Sequence, residues 1–131
     1  MLLAYQPRLI KGANREGRAM RALVVEDEML VRLLMEDALA DLGYQVAASV
    51  ASLNEAIRCI ESVAFDFAVL DINLAGATSF PAAELLIGKA IPFLFVTGYG
   101  VRGVPSQWQQ YPILQKPYAP DQLRNAISGI L

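Results

Sequence analysis

The chain has 131 residues, 55% of them hydrophobic, with one cysteine and no histidine. This length suits one domain that can bury a core without metals or disulfides. Lone Cys59 excludes an internal disulfide and a thiolate zinc cluster, the missing histidine excludes a Ser-His-Asp triad and an imidazole metal site, and a net charge of −2 argues against nonspecific nucleic-acid binding.

The charge is unevenly placed. Residues 1–21 carry five basic side chains and one acid, whereas residues 22–131 carry six basic and twelve acidic ones. Residues 1–19 show no sustained periodicity and read as an arm outside the domain, disordered or lying upstream of the true start. A helical turn is expected near Tyr5 to Lys11. Met20 opens MRALVVEDE and is a candidate internal start, which mass spectrometry of the native protein tests. The domain is expected to occupy residues 20–131. The opening residues are too short and too polar for a signal peptide. No apolar run reaches the ~20 residues of a spanning helix. A soluble, cytoplasmic protein is expected.

Ala22 to Val25 is an apolar run ending abruptly in Glu26, Asp27 and Glu28, as a strand buried on both faces would. Leucines recur at helical spacing from Met29 to Leu42, and this stripe reads as core. Gly43 is a suitable stop. Tyr44 to Val50 is the second strand. Ser52-x-x-Glu55 has the form of a capping box, opening a helix to about Ser62. Phe65 to Leu70 is the third strand, again ending in an acid, Asp71. A loop containing Gly76 follows, then a helix from Pro81 to about Lys89. Ile91 to Val96 is the fourth strand and runs into Thr97-Gly98-Tyr99. A weak helix is expected after Pro105, with Trp108 as a packing residue. Pro112 to Gln115 is the fifth strand, before Lys116-Pro117. Pro120-Asp121 opens the last helix, to about Ile130.

Five apolar strands alternating with helices predict an α/β doubly wound parallel sheet. Ligand groups in such sheets gather at the carboxyl ends of the strands. Here those ends carry Glu26, Asp27, Asp71, Thr97 and Lys116. Three close carboxylates repel one another unless something neutralises them. A hard divalent cation does so, and magnesium favours oxygen donors, waters and phosphate. Lys116 adds a positive charge, Thr97 a hydroxyl and Gly98 a backbone N–H donor. Together these groups make a phosphoryl site around a potential carboxylate nucleophile.

LVVEDE at 23–28, FAVLDINL at 67–74, FVTGYG at 95–100 and LQKPY at 114–118 resemble a response-regulator receiver domain of two-component signalling over residues 20–131. The resemblance implies a (βα)5 flavodoxin-like fold with strand order 2-1-3-4-5. It implies that Asp71 accepts a phosphoryl group from a histidine kinase or histidine phosphotransfer protein. Mg²⁺ (or Mn²⁺) would be held by Glu26, Asp27, Asp71 and the backbone carbonyl of Asn73. Thr97, the Gly98 amide and Lys116 would bind the phosphoryl group, and the Lys116–Pro117 peptide would be cis.

Two departures from the family pattern stand out. Ile113 occupies the position of the usual strand-five switch aromatic. Tyr99 is the candidate for that role; otherwise the coupling is absent. PFLFVTGYG resembles a single-domain subgroup with an FATGxG-like fourth strand, with Val96 in place of alanine. No DNA-binding or enzymatic output domain is expected after Leu131. Output would come from protein contact near Tyr99, Trp108 and Tyr118, or from service as a phosphate shuttle or sink. A monomer or weak dimer without membrane attachment is expected. The alternatives are a phosphorylation-independent interaction module and, more remotely, a small doubly wound hydrolase.

Overall fold

The computed structural model describes residues 17–131. The helical turn expected near Tyr5 to Lys11 and most of the basic arm lie outside the described residues. The main sheet is built from β1 (Arg21–Val25), β2 (Gln45–Val50), β3 (Phe67–Asp71), β6 (Phe93–Thr97) and β7 (Ile113–Gln115). A small hairpin, β4 (Asn73–Leu74) with β5 (Ala77–Thr78), lies between β3 and β6. The sheet order is β2-β1-β3-β6-β7, all parallel. This is the expected 2-1-3-4-5 order once the hairpin is set aside.

Side chains along a strand alternate between faces, and here both faces are apolar. Leu23, Val25, Leu70 and Phe95 face a layer made by α2 (Leu53–Ser62) and α3 (Phe80–Gly88). Val24, Phe67, Val69 and Val96 face α1 (Met29–Asp41) and α4 (Pro120–Ile130). Helices on both faces explain why the strands read as continuous apolar runs.

Local chemistry sets the helix ends. The Ser52 hydroxyl accepts the Glu55 N–H at 3.2 Å and donates to the Glu55 carboxylate at 3.0 Å, closing the start of α2. After α1, Gly43 N–H donates to Ala40 and Tyr44 N–H to Leu39, a Schellman ending with Gly43 at φ 90°. The same ending follows α3, with Ala90 N–H to Ile87 and Ile91 N–H to Leu86. There the left-handed position is held by Ala90, at φ 56°. An alanine pays for that conformation through its Cβ. Ala90→Gly is therefore expected to stabilise the fold by about 1 kcal/mol, and Gly43→Ala to destabilise it by a similar amount. Urea unfolding of both variants checks the opposite signs.

Three expectations need correction. Leu30, Leu33 and Leu34 are not core: they are 70%, 47% and 61% exposed. The buried stripe of α1 is Met35 and Leu39, followed by Leu42. The first half of α1 is apolar on both sides, so spacing could not identify the inward one. The weak helix expected after Pro105 is a single 3-10 turn, Ser106–Trp108, and another 3-10 turn, Val101–Gly103, precedes that proline. Gly98, Gly100, Gly103 and Pro105 interrupt any longer helix. Finally, the loop around Gly76 is a hairpin, whose turn places Ala75 at φ 33° and Gly76 at φ 90°.

Candidate functional site

β1, β3, β6 and β7 all end at one edge of the sheet, and each delivers a polar group there. Glu26 follows the last residue of β1. Its backbone is fixed by its N–H donating to Val50 and its carbonyl accepting from Arg32. Asp71 is the last residue of β3 and Thr97 the last of β6. Lys116 follows β7, its N–H donating to the Thr97 carbonyl at 2.8 Å. The Lys116–Pro117 peptide is cis.

Carboxylate oxygens of Glu26, Asp27 and Asp71 all lie within 4.8 Å of one another. Lys116 Nζ reaches between two of them, 2.6 Å from Glu26 Oε1 and 3.3 Å from Asp71 Oδ2. Glu26 Oε2 also accepts the Glu28 N–H at 3.2 Å. Glu26, Asp71 and Thr97 are buried, whereas Asp27 is half-buried. The Thr97 hydroxyl accepts the Tyr99 N–H at 3.1 Å. A cleft of about 1070 Å³ opens over these groups. Asp27, Asp71 and Lys116 lie in it, with Asn73, Gly98 and Tyr99 on its walls. Of the residues expected to hold the cation or the phosphoryl group, all except Glu26 line this cleft, and Glu26 reaches it through Lys116.

The two buried carboxylates shift in opposite directions. Burial pushes Asp71 up, and the neighbouring Glu26 pushes it further through a shared hydrogen bond and its charge. Lys116 opposes both, and Asp71 settles at about 7. Burial also raises Glu26, but hydrogen bonds from Lys116 and its neighbours outweigh it and hold Glu26 below its ordinary value. Burial likewise lowers Lys116, but Glu26 and Asp71 outweigh it and hold Lys116 above its ordinary value. The closer contact explains the asymmetry: the ammonium sits against Glu26 and only near Asp71.

Because Asp71 binds its proton more tightly when folded, its contribution to stability is full below about pH 4. It is lost as pH rises through about 7. In chelator-treated protein, Asp71→Asn is expected to exceed wild type by about 2 kcal/mol at pH 8. The gap should close towards pH 5, and denaturant unfolding at both pH values measures it.

Three neutral or anionic oxygen donors beside an ammonium suit a hard divalent cation and a phosphoryl group. Sequence reasoning overlooked several groups. Arg32 supports the acidic turn from α1. Phe80, Val104 and Pro105 wall the cleft on the side away from α1. Arg32 is the one polar residue in the apolar first half of α1, and nothing in its spacing points to a main-chain partner. Trp108 is 5% exposed and stacks on Phe80 at 5.0 Å. It packs as expected, but it cannot form part of the contact face proposed around Tyr99 and Tyr118. Tyr99 itself is 70% exposed.

Among the described residues no helix is long and apolar enough to cross a membrane. The family model of the response regulator receiver domain matches residues 22–128. The solution structure of SdrG from Sphingomonas melonis Fr1 is 36% identical. It covers 85% of this chain and 95% of its own, with a TM-score of 0.77. A second SdrG structure, in a BeF3-activated conformation, has a TM-score of 0.76 at 37% identity, with the same coverage. The receiver domain of PhyR from Erythrobacter litoralis is 27% identical, covers 85% of this chain and 88% of its own, and has a TM-score of 0.75. The two-component response regulator PhoP of Pseudomonas aeruginosa is 30% identical over 119 residues, 86% of this chain and 52% of PhoP. The chain spans about half or less of the length of the curated relatives it matches. With the sheet order, the strand-end acids and the matched span in agreement, the chain belongs to the response regulator receiver domain family of two-component systems.

Proposed function

We propose that this receiver domain is a phosphoacceptor whose Asp71 takes a phosphoryl group from a histidine kinase or histidine phosphotransfer protein. The observation that carries the reading is Asp71 itself. It stands at the end of the central strand, 3.3 Å from the Lys116 ammonium and clustered with Glu26 and Asp27. The BeF3-activated form of the related SdrG supports it.

Asp71 Oδ attacks the phosphorus, forming an O–P bond as the N–P bond of the donor imidazole breaks. The imidazole nitrogen keeps the electron pair and takes up a proton. Asp71 must be ionised to attack, so its elevated value has to fall when the site is loaded. Glu26, Asp27, Asp71 and the Asn73 carbonyl would hold Mg²⁺ (or Mn²⁺), which supplies positive charge to the phosphoryl oxygens. Lys116 pairs with the same oxygens. Thr97 accepts the Tyr99 N–H, so its own hydroxyl hydrogen is free to donate to the phosphoryl group, with the Gly98 amide beside it. The chain turns over nothing beyond its own phosphorylation and dephosphorylation.

Exposed Tyr99 stands on the wall of this cleft, and α1, whose Val31 lines it too, carries the exposed Met29, Leu30, Leu33 and Leu34. Apolar surface around a charged site favours a protein donor over a small molecule alone. Output passes by protein contact or as a phosphate shuttle or sink, in the cytoplasm. Residues 20–131 form the receiver and residues 1–19 an arm outside it. The same apolar rim would serve a phosphorylation-independent interaction module, the second reading.

Incubation with Mg²⁺ and acetyl phosphate, followed by intact mass, separates the two. One phosphoryl adduct that disappears with chelator is expected. No adduct under any donor would favour the interaction module.

A further inference from the structure

We infer that Arg32 is a positioning residue for the divalent-cation site, acting through the peptide that joins Glu26 to Asp27. The inference rests on the phosphoacceptor reading and adds to it a residue outside the strand-end set. Arg32 lies one turn into α1, half-buried. Its guanidinium does not pair with the carboxylates. Among the described residues its Nη1 donates to the Glu26 backbone carbonyl at 2.9 Å, and Arg32 forms no ion pair there.

That choice of acceptor has a geometric consequence. The peptide unit is planar, so fixing its carbonyl oxygen also fixes its N–H and the Cα of the next residue. The next residue is Asp27. The Glu26 N–H is already held by Val50 at 3.0 Å. The chain is thus clamped on both sides of Glu26, once by the sheet and once by α1. The Asp27 carboxylate is the least buried of the three acids. Its aim at the other two follows the direction of its backbone together with its side-chain contact to Glu26, and Arg32 helps to set that direction. A charged donor to a backbone carbonyl also makes a stronger hydrogen bond than a neutral one.

Charge and position predict opposite outcomes when Arg32 is removed. A cation near a cation site opposes metal binding, so loss of charge alone would tighten it. Loss of the clamp lets the Asp27 turn relax and weakens binding. The test is calorimetric titration of Mg²⁺ into the intact chain for wild type, Arg32→Met and Arg32→Lys, with circular dichroism as a check on folding. Arg32→Met is expected to weaken Mg²⁺ affinity about 10-fold, the scale seen when supports of metal ligands are removed. Arg32→Lys keeps the charge and one donor, and should recover most of the loss. Arg32→Met that binds as tightly as wild type or more so would overturn the inference and leave the phosphoacceptor reading standing. So would Arg32→Lys that folds but recovers nothing. Wild type that binds no Mg²⁺ would overturn both.

Discussion

Asp71→Asn is expected to give no phosphoryl adduct under conditions in which wild type is labelled. The substitution keeps the shape of the side chain and removes the anionic oxygen that attacks phosphorus. Folding should not confound the result. Asn carries no charge to bury, and Asp71 sits in the cluster with a value already raised to about 7. The variant should therefore be at least as stable as wild type. Intact mass after Mg²⁺ and acetyl phosphate reads the adduct, and unfolding reads the stability. An adduct of wild-type size on Asp71→Asn would place the accepting group elsewhere.

Lys116→Met is expected to have the largest effect on stability. Lys116 is the one cation within ion-pair distance of Glu26 and Asp71 among the described residues. Both carboxylates are buried, so removing the ammonium leaves them facing each other in a poorly solvated pocket. A loss of about 3 kcal/mol is expected at pH 8 in chelator-treated protein. The direction with pH follows from the same groups. At pH 5 Asp71 takes up a proton, only one charge remains, and the loss should shrink. Added Mg²⁺ should restore part of it at pH 8 by replacing the missing positive charge. Thermal unfolding at both pH values, with and without Mg²⁺, checks the pattern. A loss below about 0.5 kcal/mol at every pH would mean that the ammonium is not what balances the pocket.

The strands were legible because they are short and mostly apolar, and all but β2 end in or beside a polar residue. Their order came from the resemblance, and the observed sheet keeps it. The strand ends were legible for the same reason. A carboxylate after a run such as FAVL has few structural reasons to be there, and the four polar strand ends converge only if the sheet is parallel. What the sequence hid was which side of an apolar segment faces inward. Leu30, Leu33 and Leu34 have the spacing of a core stripe, yet Met35 and Leu39 take that place. Ala75 and Ala90 concealed their turns, because alanine seldom adopts the left-handed backbone they hold. Between β6 and β7, where a weak helix carrying Trp108 is expected, the glycines and Pro105 allow only 3-10 turns. Arg32 was invisible because its partner is a main-chain carbonyl, which no side-chain pattern records.

The central claim is that one carboxylate, Asp71, carries the phosphoryl group. Borohydride reduction of the labelled protein converts an aspartyl phosphate to homoserine, and fragment mass spectra locate it. The account predicts homoserine at position 71 alone, dependent on prior Mg²⁺ and phosphodonor. Homoserine at position 27, the corresponding reduction product at Glu26, or no reduced residue in a protein that shows the adduct would contradict it.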